Sequence, residues 1–220
     1  MSFLRHLTEK PWEAEPAWAK VRSQNIGASR RLAPSVALNI FLAIVSVLFF
    51  LLIVTYAGRM AFVDWRPAPS SNLLWQNTII LMLASMAMEW ARYWAARGQT
   101  DRARLGMLSG GVFTAAFITG QILAWRELSS AAVFDVTNPA IAFFYLITGL
   151  HVLHLAGGLA AWGWVLDRLW RGADDDAIRQ SVQLCARYWH FLLIVWLVLF
   201  GLLFAGNDSL NVLLAICGIR

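Results

Sequence analysis

The residues of this chain best suited to chemistry are three histidines and one acid–base pair. His151 and His154 stand three positions apart, so on a helix they project from one side. His190 opens a later apolar stretch. Three imidazoles form a donor set that suits zinc or copper. Nothing in the sequence completes such a shell: Cys185 and Cys217 have no CxxC spacing, and no carboxylate stands in mid-stretch beside the histidines. Hydrogen bonding between helices is the reading the residues favour, with no metal ligand, cofactor ligand or catalytic group assigned to this chain. Glu89 precedes Arg92 by three positions, a spacing that predicts an ion pair on one helix face. A contact from this pair to a partner subunit or a lipid headgroup is the alternative. Asn39, Ser46, Asn77, Thr78, Ser85, Thr114, Thr119 and Gln121 also interrupt apolar runs. Polar groups in such runs are costly to bury, and bonding between helices accounts for them.

The elements that must position these residues are membrane helices. Of 220 residues 59% are hydrophobic and 14% charged, with twelve Trp and thirteen Phe, a balance outside that of globular domains. The net charge of +5 raises nucleic acid as a partner, but the basic residues lie in short segments between apolar runs, as in cytoplasmic loops, and no nucleic acid is expected. Five spans follow: residues 36–57, 73–94, 105–125, 139–166 and 188–205. In lipid each satisfies its backbone only as a helix. Pro67, Pro69, Gly98, Asn138-Pro139 and the acidic turn at Asp174-Asp175-Asp176 mark the breaks. The first apolar run begins too far from the start, and is too long, for a cleaved signal, so it reads as a retained helix.

An all-α polytopic bundle of about five transmembrane helices is therefore predicted, with a cytoplasmic arm over residues 1–35, a membrane domain over 36–206 and a short apolar tail over 207–220. Lys and Arg fall fourteen to one side and four to the other. By the positive-inside rule the N-terminus is cytoplasmic and the C-terminus outside. Gly106, Gly110 and Gly111 in the third span, and Gly149, Gly157, Gly158 and Gly163 in the fourth, allow close helix approach. The arm, with Trp12, Trp18 and several basic residues, suits anionic headgroups or a neighbouring subunit.

Two motifs then carry a family resemblance. The run Phe143-Phe144-Tyr145-Leu146-Ile147-Thr148-Gly149-Leu150-His151-Val152-Leu153-His154 resembles the TGxHxxHV signature of subunit III of haem–copper terminal oxidases. Tyr188-Trp189-His190-Phe191, followed by Val195-Trp196-Leu197, is similar to that family's YWHFxDxxW helix. Asn77-Thr78 and Gln121 match an asparagine–threonine pair and a glutamine of the short, five-helix bacterial form. The resemblance covers about residues 36–205. It implies an accessory subunit without haem or copper of its own, which belong to the catalytic subunits I and II on which it docks. It further implies a phospholipid-filled cleft between helices, support of proton uptake and turnover during oxygen reduction, and a place in the bacterial cytoplasmic membrane. His151, His154, His190, Trp189, Trp196, Glu89 and Arg92 are then the candidate residues for lipid binding or helix packing.

Three acidic positions of the family are apolar here: near Val45, at Ala124 and at Leu193. The same fold also serves an accessory subunit of nitric oxide reductase, which the sequence does not separate from the oxidase subunit. A stand-alone metal or proton transporter using the three histidines is a further alternative. It finds no support in the absence of midplane charges or of an internal repeat.

Overall fold

The computed structural model describes residues 17–60, 62, 72–131, 139–172 and 175–204. Among these the chain is entirely helical, with five helices in sequence: α1 (Ala17–Arg59), α2 (Asn72–Ala96), α3 (Thr100–Ala131), α4 (Pro139–Trp170) and α5 (Asp175–Phe204). Residues 1–16, and the apolar tail expected over 207–220, lie outside the described residues. Two compact units divide the chain, residues 1–43 and 44–220. The described part of the first is helical from Ala17 and runs through Pro34, whose missing N–H removes one backbone bond without ending the helix.

Stretches of four helices are long and apolar enough to cross a membrane: Ala33–Arg59, Thr100–Ser129, Pro139–Trp170 and Asp176–Leu203. The chain is thus a multi-pass membrane protein. The second expected span is helical as well, but it falls short of that hydropathy because Gln76, Asn77, Thr78, Ser85 and Glu89 interrupt it. Asn77, Thr78 and Ser85 are buried, so what α2 lacks in apolarity it carries on the side turned to its neighbours.

Helix ends follow local chemistry. Pro139 occupies the first position of α4, where its missing N–H costs nothing. α5 starts at Asp175, within the acidic stretch expected as a turn. Between α2 and α3, Gly98 has φ +72°. Its N–H donates to Ala95 and that of Gln99 reaches back to Trp94 at 3.1 Å, a paired cap that releases the chain into α3 after two residues. At the same end of the bundle Arg104 donates to the Leu169 carbonyl at 2.7 Å and caps α4.

The tight turn makes α2 and α3 the most extensively packed pair, followed by α2 with α5, α4 with α5, and α3 with α4. Gly106 sets the α2–α3 separation, since a Cβ there would lie 2.8 Å from the Ala91 N and Cα. A turn later, Met88 covers Gly110. In the second unit, Val45, Phe49 and Tyr56 of α1 join Ile147 of α4 and Leu199 and Leu202 of α5 in one apolar cluster. Residues 45, 49 and 56 repeat at helical spacing, which aims all three at α4 and α5.

Gly106→Ala should therefore force α2 and α3 apart. Overpacking of this kind costs about 1–3 kcal/mol, and a thermal scan of the detergent-solubilised protein should show a midpoint several degrees lower. Gly157 has nothing within 4 Å of the same hypothetical Cβ. Gly157→Ala should leave the midpoint unchanged or raise it, because Ala is the better helix former by about 1 kcal/mol. Equal losses in both variants would show that the close approach at Gly106 is not what holds the pair.

Candidate functional site

Tryptophan and threonine side chains tie the helices together in three places. Trp189 of α5 donates its indole N–H to Thr114 of α3 at 2.8 Å. Trp196 of α5 donates to Thr78 of α2, and Trp125 of α3 to Thr148 of α4, both at 3.0 Å. Each threonine spends its own hydroxyl proton on the carbonyl four residues back: Thr78 on Leu74, Thr114 on Gly110 and Thr148 on Phe144, at 2.6–2.8 Å. A hydroxyl that donates within its helix still has lone pairs to accept from a neighbour. The same side chain is thereby satisfied locally and available to a second helix. Two tyrosines and a fourth indole donate straight to backbone: Tyr145 to the Trp125 carbonyl, Tyr188 to that of His154, and Trp162 to that of Met107, at 2.8–3.0 Å.

The three histidines have three separate environments. His151 is 0% exposed. Its ring lies 5.2 Å from that of Trp196, 6.0 Å from Phe117 and 6.3 Å from Phe49. Neither of its nitrogens has a hydrogen-bond partner among the described residues. Leaving a buried polar group unpaired costs about 1–3 kcal/mol. His154, one turn on, is partly buried; its Nδ1 lies 2.8 Å from the Leu150 carbonyl, so this nitrogen donates within the helix. His190 turns to α2. Its Nε2 lies 3.0 Å from Glu89 Oε2, and its Nδ1 is hydrogen-bonded to the Ser85 hydroxyl. The carboxylate can only accept, so Nε2 carries the proton in this pair.

Glu89 forms the ion pair with Arg92 that the spacing predicts: Arg92 Nε donates to Oε2 at 2.8 Å, and a second guanidinium nitrogen reaches Oε1. Arg92, Glu89, His190 and Ser85 thus make one chain from the surface to the interior, the Glu89 and His190 side chains 42% and 40% exposed and Ser85 buried. The link from Glu89 to His190 crosses two helices 101 positions apart, and spacing along the sequence carries no sign of it. The indole–threonine pairs are equally long-range, although Thr78, Thr114, Trp189 and Trp196 each stand out as residues. No three His, Cys, Asp or Glu side chains gather around a point that could hold a metal ion, among the described residues.

Gln121, with its side chain 0% exposed, accepts from the Asn77 amide at 3.5 Å across α2 and α3. Gly120 beside it leaves the room that Asn77 occupies. The residues of the two sequence motifs thus supply hydrogen bonds of α5 to α2, α3 and α4, and of α4 to α3. The family model of cytochrome c oxidase subunit III matches residues 66–206, the stretch that contains all of them. This chain belongs to that family. Relatives include the cytochrome c oxidase subunit 3 of Synechocystis, 32% identical over 178 residues covering 75% of this chain and 72% of the relative. The probable cytochrome c oxidase subunit 3 of Mycobacterium tuberculosis is 29% identical over 144 residues, 64% of this chain and 71% of the relative. That of Thermostichus vulcanus is 26% identical over 132 residues, 58% and 63%.

Of the three apolar positions at which the family resemblance implies acids, two are buried and one is half-buried. Val45 belongs to the α1–α4–α5 cluster, Ala124 is buried, and Leu193 is half-buried. At the loop end of α2, Arg97 lies 3.8 Å from the Tyr93 ring centre and Arg102 4.2 Å from that of Trp94, a cationic and aromatic rim of the kind found at membrane interfaces.

Thr114→Val should strand the Trp189 N–H in the interior and destabilise the protein by about 1–3 kcal/mol. Trp189→Phe removes the donor. With the double variant the pair closes a thermodynamic cycle, read by thermal unfolding in detergent, and a coupling of about 0.5–1.5 kcal/mol is expected. Strictly additive losses would mean that the indole and the hydroxyl pack side by side without a bond.

Proposed function

We propose that this chain is a cofactor-free accessory subunit III of a haem–copper respiratory oxidase, docked on the catalytic subunit I and on subunit II. Membership of the cytochrome c oxidase subunit III family places the chain among the subunits of an oxidase complex. The observation that carries the finer reading is the use made of the motif residues. Thr148, Tyr188, Trp189, Trp196 and His190 all spend their polar groups on neighbouring helices. Residues so committed act as braces that give the bundle a fixed outer surface for a partner. Haem and copper reside in the partner subunits, where oxygen is reduced and protons are moved. This chain contributes assembly, phospholipid retention and endurance of turnover.

The complex lies in the bacterial cytoplasmic membrane. The N-terminus of this chain faces the cytoplasm, since fourteen of eighteen Lys and Arg fall on that side of the spans. With that orientation Arg92, Arg97, Arg102 and Arg104 stand at the cytoplasmic headgroups, and the Glu89–Arg92–His190 chain opens at the same level.

The tagged chain, purified in mild detergent and analysed by optical spectroscopy and mass spectrometry of whatever co-elutes, tests this. A haem spectrum together with a much larger haem-bearing chain is expected. A colourless protein that purifies alone would refute the accessory role and reduce the family match to a shared fold. A haem-bearing partner identified as a nitric oxide reductase would correct the reaction while keeping the role.

A further inference from the structure

Three buried polar atoms in the middle of the bundle have no hydrogen-bond partner among the described residues: Gln121 Nε2 and both ring nitrogens of His151. The helices bring these groups to one level. The Trp125–Thr148 bond sets the register of α3 against α4, which run antiparallel, as the Trp162–Met107 bond further along confirms. Gln121 is one turn before Trp125 on α3, and His151 three residues after Thr148 on α4. Phe117, the next turn back on α3, has its ring 6.0 Å from that of His151, so His151 stands at the level between Phe117 and Gln121.

The remaining polar side chains here are already engaged. The Gln121 carbonyl oxygen accepts from Asn77. Thr148 accepts from Trp125 and donates to Phe144. Phe49, Phe117 and Trp196 make an apolar wall around the imidazole.

We propose that Gln121 and His151 together bind a single ordered water molecule inside the bundle. The water accepts from the Gln121 amide N–H and donates to an imidazole nitrogen, so that two groups with no protein partner satisfy each other through it. A buried site for water needs two or more polar partners, and this one supplies an amide donor and an imidazole on facing helices. No group of His, Cys, Asp and Glu side chains that could hold a cation is found here among the described residues. The ligand is therefore neutral, small, and both a donor and an acceptor. This inference does not rest on the oxidase reading, because it concerns the packing of this chain alone.

A cryo-EM map of the chain in the complex with which it purifies, or of the chain by itself if it proves solitary, tests the site at a resolution that shows waters. A discrete density about 2.7–3.2 Å from both Gln121 Nε2 and one nitrogen of His151 is expected. Gln121→Leu, mapped in the same way, should lose that density while the His151 ring keeps its place. An imidazole that touches only the faces of Phe49 and Phe117, with no density beside it, overturns the proposal. So does a Gln121 amide bonded directly to the ring, or a density that survives in Gln121→Leu. Should that variant fail to assemble, the map of the unaltered chain decides.

Discussion

Lipid offers no hydrogen bonds, and that single constraint governs where polar groups stand in this chain. A polar side chain facing hydrocarbon must find a partner inside the protein or remain unpaired at a cost of several kcal/mol. Threonine meets the constraint twice over. Its hydroxyl donates to the carbonyl one turn back, as Thr78, Thr114 and Thr148 do, and its lone pairs then accept an indole N–H from another helix. Tryptophan supplies the complement, a large apolar body that packs well between helices with one donor at its edge. Three such couples, Trp189–Thr114, Trp196–Thr78 and Trp125–Thr148, link α5 to α3, α5 to α2 and α3 to α4. They fix the axial register of four helices in an environment where apolar surface alone does not, since side chains slide past one another in lipid as readily as past acyl tails.

The constraint explains why α2 lacks an uninterrupted apolar stretch as long as those of the other four helices and yet joins in the most extensive packing. Asn77, Thr78 and Ser85 lower its hydropathy, and all three are buried against α3 and α5. Its last charged residues stand in its final two turns, partly exposed. Glu89 and Arg92 pair along the helix, and His190 reaches across from α5 to the same carboxylate. Because His190 also bonds to Ser85, the exposed ion pair is wired to the buried side of α2. A long-range contact of this kind anchors α5 to α2 two to three turns before the loop that connects α2 to α3.

Much of the architecture was legible in the sequence because the length of apolar runs and breakers such as Gly98 and Pro139 are local signals. Helix ends were less so: α1 reaches back to Ala17 through Pro34, and the acidic residues read as a turn start α5. Among the candidate site residues, the Glu89–Arg92 pair could be read from a spacing of three. The histidines were visible as types, but spacing suggested one cluster of three where the structure gives three environments. His154 bonds to its own helix, His190 to α2, and His151 is shut among Phe49, Phe117 and Trp196. Which side chains meet across a bundle depends on the register between helices, and register is set by pairs such as Trp125 and Thr148 that stand 23 positions apart.

The same register argument bears on the positions at which the family resemblance implies acids. A glutamate at position 45 would sit among Phe49, Tyr56, Ile147, Leu199 and Leu202, a cluster that offers little to balance a buried charge. An ionised carboxylate in such a place is either paired or expensive. Ala124 fills a second buried position with a methyl group, one residue before the tryptophan that bonds to Thr148. Among the described residues, Glu89, Arg92 and His190 are partly exposed, while Asn77, Thr78, Ser85, Thr114, Gln121 and Thr148 are buried and uncharged. Those neutral groups bond by geometry rather than charge, so they position helices without creating a site for an ion.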